Sequence, residues 1–112
     1  MKFSIKRKEL LVALNTMSIS RRSTLPILAN VKIKADEFAV DLDTTDLECY
    51  TSYTAWCPVV EEGETTVSHK ELLALVKADK SDTFYFSTEE DKLAVTTDSS
   101  SVAFDTIDAE EF

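Results

Sequence analysis

Apolar positions along the chain change period several times, and each change marks an element. Phe3 and Ile5 alternate with polar neighbours over residues 1–5, which predicts a short strand. From Lys6 the period lengthens. Leu10, Leu14 and Met17, with Leu11 beside them, recur at helical spacing to about Ser18. Residues 19–26 are polar and basic (Arg21, Arg22, Ser23, Thr24), and Pro26 holds Leu25 extended, which ends any helical tendency. Ile27–Ala35 is rich in branched residues and predicts a strand with Val31 and Ile33 inward. Phe38, Val40 and Leu42 alternate with Ala39 and Asp41, so a half-buried strand follows an Asp36-Glu37 turn. Leu47, Cys49, Thr51, Tyr53, Ala55 and Cys57 then alternate in a long run that Pro58 ends or places at a sheet edge.

After the turn Glu61-Glu62-Gly63-Glu64 the same order of elements begins again. Thr65–Val67 is a short strand. Ser68 and Glu71 have the spacing of a capping box, in which each side chain satisfies a free backbone amide at a helix start. Leu72, Leu73, Leu75 and Val76 form the apolar stripe of a helix that runs to about Ala78. Strands follow at Thr83–Ser87 (Phe84, Phe86), Lys92–Thr97 (Leu93, Val95) and Ser101–Ile107 (Val102, Phe104). The string β-α-β-β-β therefore occurs twice, about sixty residues apart, with little side-chain identity between the copies. Two helices and eight alternating strands predict an α+β domain, with both helices packed on one side of antiparallel sheets.

Once the apolar stripes are placed, the outward faces follow from helical spacing. Lys70, Ala74 and Lys77 point away from the core on the second helix, and Lys8, Val12 and Asn15 do so on the first. With the helices side by side, Lys8, Lys70, Lys77 and the Arg21-Arg22 connector form one sparse basic surface suited to weak phosphate contact. The plain alternative is a solvated helix face that happens to carry lysines. The charge distribution bears on this choice. The chain is −9 overall, yet residues 1–34 carry +7 and residues 35–112 carry −16. Such a total speaks against an ordinary groove binder, whereas the split can place one basic face on an acidic body.

Length and composition narrow the function classes. The chain of 112 residues suits one domain, 1–112, and its 44% apolar and 29% charged residues are those of a globular protein. A single glycine, Gly63, excludes glycine-rich phosphate loops and the dinucleotide fingerprint. The apolar stretch Leu10–Leu14 is too short for a secretory core, and no segment reaches the ~20 apolar residues that span a bilayer, so no membrane association is expected. Cys49 and Cys57 lie roughly 26 Å apart if their run is extended, beyond disulfide reach; free thiols in a reducing cytoplasm are expected.

Catalysis finds little support. His69 opens the second helix with no histidine or cysteine at metal-ligand spacing, and reads as a surface residue. Asp41, Asp43, Asp46 and Glu48 resemble a carboxylate cluster for a divalent cation, but the glycine of a calcium loop is missing. Ser99, Ser100 and Ser101 fall in a turn with no histidine nearby in sequence. Neither an enzyme nor a cofactor is expected.

Several stretches coincide with one family. Met1-Lys2-Phe3, Thr24-Leu25-Pro26-Ile27-Leu28, Thr45-Asp46-Leu47-Glu48, Thr65-Thr66-Val67 and the closing Phe104…Phe112 occur in order across the whole chain. Together they resemble the N-terminal domain of the bacterial DNA polymerase III beta subunit, the sliding clamps. The resemblance implies a DNA-clamp domain, one of three per chain, with two chains closing into a ring around duplex DNA and the helices lining the hole. Lys70 and Lys77 would then face double-stranded DNA. Arg22 matches a family arginine that contacts DNA, Arg21 adjoins it, and Lys8 adds to the same surface. Val12 stands where the family often has a lysine. Leu75, Val102 and Phe104 match the joint with the third domain of the other subunit, and Glu71 stands there where a basic residue is often found. The replicative polymerase and clamp loader would bind mainly through the later domains. A single domain encloses nothing, so the chain is expected to be a fragment of a longer clamp or a free-standing domain that self-associates. The competing reading is a β-rich adaptor that binds proteins through a sheet edge and ignores DNA.

Overall fold

The computed structural model describes residues 1–17, 30–45 and 50–106. In chain order these form β1 (Lys2–Lys6), α1 (Arg7–Thr16), β2 (Asn30–Ala35), β3 (Ala39–Thr45), β4 (Tyr50–Trp56), β5 (Val59–Glu61), β6 (Gly63–Ser68), α2 (His69–Ala78), β7 (Thr83–Glu89), β8 (Lys92–Thr96) and β9 (Ser101–Asp105). Two antiparallel sheets result, one ordered β5-β1-β7-β8-β9 and the other β4-β3-β2-β6. The duplicated string is present, and its halves are interleaved. The first strand of each half joins the sheet of the other half: β1 pairs with β7, and β6 pairs with β2. Neither half can satisfy its own backbone alone, because its first strand pairs with a strand of the other half, β1 having β5 as its second neighbour.

Strand alternation builds the core as the pattern predicts. Phe3 and Ile5 on β1 face Phe86 and Phe84 on β7. The Phe3 and Phe86 rings stack with centroids 4.8 Å apart and an interplanar angle of 6°. Val31 and Ile33 of β2, Val40 and Leu42 of β3, Val67 of β6, and Leu93 and Val95 of β8 complete the buried sheet faces. Both helices lower their stripes onto them, through Leu10, Ala13 and Leu14 of α1 and through Leu72 and Val76 of α2, while Leu11, Leu73 and Leu75 are partly buried. At the start of α2 the Glu71 amide donates to Ser68 Oγ at 3.3 Å, which is the Ser68 half of the expected capping box.

Three expectations change. Phe38 does not join the alternation: it is 72% exposed in the bend before β3, where the Asp36 amide donates to the Ala39 carbonyl at 2.9 Å. A two-residue turn and a three-residue turn leave the same apolar pattern downstream, so periodicity cannot separate them. The long run also stops at Trp56 rather than Cys57. Pro58 has no amide to donate, and the chain crosses to the other sheet as β5, a three-residue edge strand too short to show a period. The last strand ends at Asp105 rather than reaching Ile107, which lies outside the described residues, as do the predicted strand start at Ile27 and the residues Leu47 and Cys49.

Candidate nucleic-acid interface

The two helices lie against each other and run antiparallel, and the same position in each fixes that arrangement. Arg7, the first residue of α1, donates through Nε to the carbonyls of Val76 (2.9 Å) and Asp79 (3.1 Å) at the end of α2. His69, the first residue of α2, places Nε2 2.8 Å from the Leu14 carbonyl near the end of α1. Each clasp supplies a side chain to carbonyls that helix geometry leaves without an internal partner. His69 is therefore not the surface residue that its position beside a cap suggests. Its ring is half-buried and engaged, because the end of the other helix arrives at it.

The outward faces are as spacing predicts. Lys8, Val12 and Asn15 of α1, and Lys70, Ala74 and Lys77 of α2, are all exposed. No ion pair involves Lys8, Lys70 or Lys77 among the described residues, so three ammonium groups stand free on adjoining helices. Lys77 lies in the last turn of α2, where the helix dipole favours a cation. Asp82 pairs with Lys6 at 2.7 Å, whose hydrogen bond and charge hold that carboxylate below its ordinary range, and Lys8 adds a smaller pull. Arg21 and Arg22 lie outside the described residues.

A second fixture holds the α2 end of this face. Asp79, the C-cap residue, is buried. Its carboxylate accepts hydrogen bonds from Ser100 Oγ at 2.6 Å, from Thr97 Oγ1, and from the Ser81 amide at 3.0 Å. These donors, Ser100 first, hold the carboxyl well below the usual range, since each favours its ionised form. The serine turn thus anchors a helix to the β8–β9 connection. Sequence reasoning missed both Arg7 and Asp79, whose partners lie on elements far along the chain or are turn hydroxyls with no periodic signature. The carboxylate cluster is not assembled either. Asp41 accepts from Thr54 Oγ1 at 2.7 Å, and among the described residues no three His, Cys, Asp or Glu side chains converge to hold a metal ion; Asp46 and Glu48 lie outside them.

Comparison with known proteins decides the family. Residues 1–112 match the model of the DNA polymerase III beta subunit, N-terminal domain. The chain belongs to this family. It is 32% identical over its whole length to the beta sliding clamp of Pseudomonas aeruginosa, of which it covers 32%. It is 35% identical over 79 residues, 69% of the chain, to the beta sliding clamp of Rickettsia bellii, of which it covers 21%. The crystal structure of the DNA polymerase III subunit beta from Pseudomonas aeruginosa superposes over the whole chain with a TM-score of 0.93 at 31% identity, matching 31% of that protein. The chain thus spans about a third or less of the length of these relatives.

In this clamp-family fold, β9 is an edge strand of the five-stranded sheet, at the opposite side from β5. Val102 on β9 and Leu75 on α2 are partly buried against the core, and Glu71 is exposed. Phe104 is only 8% exposed and belongs to the core itself, because it faces Leu93 of β8 on the inner side of the sheet. Its side chain presents little surface to any partner. No described helix is long and apolar enough to cross a membrane.

Proposed function

We propose that the chain acts as the N-terminal domain of a sliding clamp, holding duplex DNA by weak, sequence-independent contacts and so keeping a replicative polymerase on its template. One observation carries the reading: two antiparallel helices, clasped at both ends, present Lys8, Lys70 and Lys77 exposed and without ion-pair partners. Lys70 and Lys77 stand about 10 Å apart along the α2 axis by helical rise. That exceeds the Debye length of roughly 8 Å at physiological ionic strength, so each meets phosphate as a separate point charge. Sparse, independent contacts suit a protein that slides, since no base edge is read and no contact is strong enough to arrest it. The acidic remainder of the chain repels DNA from the other surfaces.

On this reading Arg21 and Arg22, which follow α1 in the sequence, add further phosphate contacts. On the same reading the free edge of β9 with Val102, Phe104 supporting it from the core, and Leu75 and Glu71 of α2 make up the joint that closes a ring with another clamp domain. The chain is a processivity element of the bacterial cytoplasm, acting without catalysis or cofactor, and polymerase and clamp loader engage other domains of the ring. The supporting test is a titration of the chain with a short duplex at low ionic strength, followed by amide NMR. Shifts are expected on α1 and α2 around Lys8, Lys70 and Lys77, and are lost in Lys70→Glu with Lys77→Glu. Shifts confined to a sheet edge, or none at the lowest salt, would replace this reading with the adaptor.

A further inference from the structure

The chain's single tryptophan, Trp56, is 74% exposed at the end of the edge strand β4, and Phe38 beside it is 72% exposed. Isolated exposed aromatics are ordinary, but two sharing one depression mark a surface that water solvates poorly. Their placement is set by main chain: Ala39 pairs with Trp56 across β3 and β4, and the Cys57 amide donates to the Phe38 carbonyl at 3.2 Å. The depression they line is about 420 Å³, and Asp36, Glu37, Asp41 and Glu62 surround it with no basic residue among its walls. None of these four carboxylates forms an ion pair among the described residues, and Lys34, opposite Asp41 on β2, leaves it unpaired. The basic helix residues Lys8, Lys70 and Lys77 take no part in the depression.

We propose that this acid-rimmed aromatic notch is a docking site for an extended basic segment of a partner protein, with an arginine side chain seated on Trp56 and Phe38. The occupant follows from charge complementarity. A guanidinium is planar and weakly hydrated, stacks on an indole face and donates in a fork to carboxylates. An acidic or neutral segment would bury unpaired carboxylates, and nucleic acid is repelled by them. Trp56 also borders a second depression of about 300 Å³, whose walls include Pro58, Tyr85, Glu9 and Lys6, the last of these paired with Asp82.

Because Trp56 is the only tryptophan, its emission reports the site directly. The whole chain is titrated with a short arginine-containing peptide and with the same peptide carrying citrulline, a neutral isostere, in place of arginine. A saturable change in Trp56 emission is expected with arginine, about tenfold weaker with citrulline, as a desolvated cation–π and ion-pair contact requires. The combined Asp36→Asn, Glu37→Gln, Glu62→Gln variant and the separate Phe38→Ala variant are each expected to weaken binding by a similar factor, with the helical DNA response unchanged. An equal response to both peptides, or no saturable response, would overturn the proposal. So would a concentration-dependent emission shift without peptide that tracks dimer formation, since a second copy would then be the occupant. The peptide pair reads the unaltered chain, so the outcome stands even where a variant fails to fold.

Discussion

The first residue of α1 and the first residue of α2 perform the same task with different chemistry. Arg7 reaches two carbonyls at the end of α2 with a charged donor, while His69 reaches one carbonyl at the end of α1 with a ring nitrogen. The helix ends differ likewise. Both cap amides return to a carbonyl four residues back, Met17 to Ala13 and Asp79 to Leu75, but the Asp79 side chain is tied to three donors of neighbouring turns, whereas the Met17 side chain enters the core. In a duplicated fold the geometric need is repeated, but nothing requires the same residue to meet it. This is why the two halves share an order of elements while their side chains have little in common. The basic face draws on both halves, so its two helices need not be equally firm.

Four experiments would break or sharpen that contrast, beginning with the largest effect. Leu10→Ala on α1 and Leu72→Ala on α2 each empty a fully buried site, and each is expected to lose about 2–5 kcal/mol in denaturant unfolding. Losses that differ greatly would show that one half carries the core. Next, Arg7→Ala removes a charged donor from two carbonyls and should cost about 2 kcal/mol, against about 1 kcal/mol for His69→Ala. Equal losses would mean the clasps are interchangeable. The third probe is acid. A carboxylate held below its ordinary range contributes stability above its unfolded pKa of about 3.9, and that contribution is lost as pH falls through the folded value. Asp79→Asn should therefore be less stable at neutral pH and show a flatter decline below about pH 4, with amide exchange in α2 rather than α1 most affected. An unchanged acid profile would remove Asp79 from that role. The smallest effect lies on the surface. Neutralising Lys8, Lys70 or Lys77 to Gln should each reduce the salt slope of duplex binding by about 0.9, with unfolding stability unchanged in all three. A clearly smaller loss at Lys8 would place α2, rather than α1, against the phosphates.

Buried chemistry is also legible at Cys57. Burial, helped by the charge of Glu9, pushes its thiol up to about 11, so it is protonated and sluggish toward alkylating reagents at neutral pH. A free thiol was the expectation from strand spacing, and Cys57 is free; Cys49 lies outside the described residues.

Period, cap and charge are local properties, and they were readable from residues alone. The apolar spacing placed both helices, most of the strands, the Ser68 cap and the outward lysines, because a side chain's face depends only on its offset from near neighbours. The family resemblance rested on short ordered motifs and held across the whole chain. What spacing could not supply was every relation between distant elements. The exchange of β1 and β6 between sheets, the crossing of β5, the Arg7 and His69 clasps, the Asp79 anchor and the meeting of Phe38 with Trp56 all join residues through space. Such pairings arise when the chain closes on one core, and a hydrophobic pattern says which face is buried without saying what will lie against it.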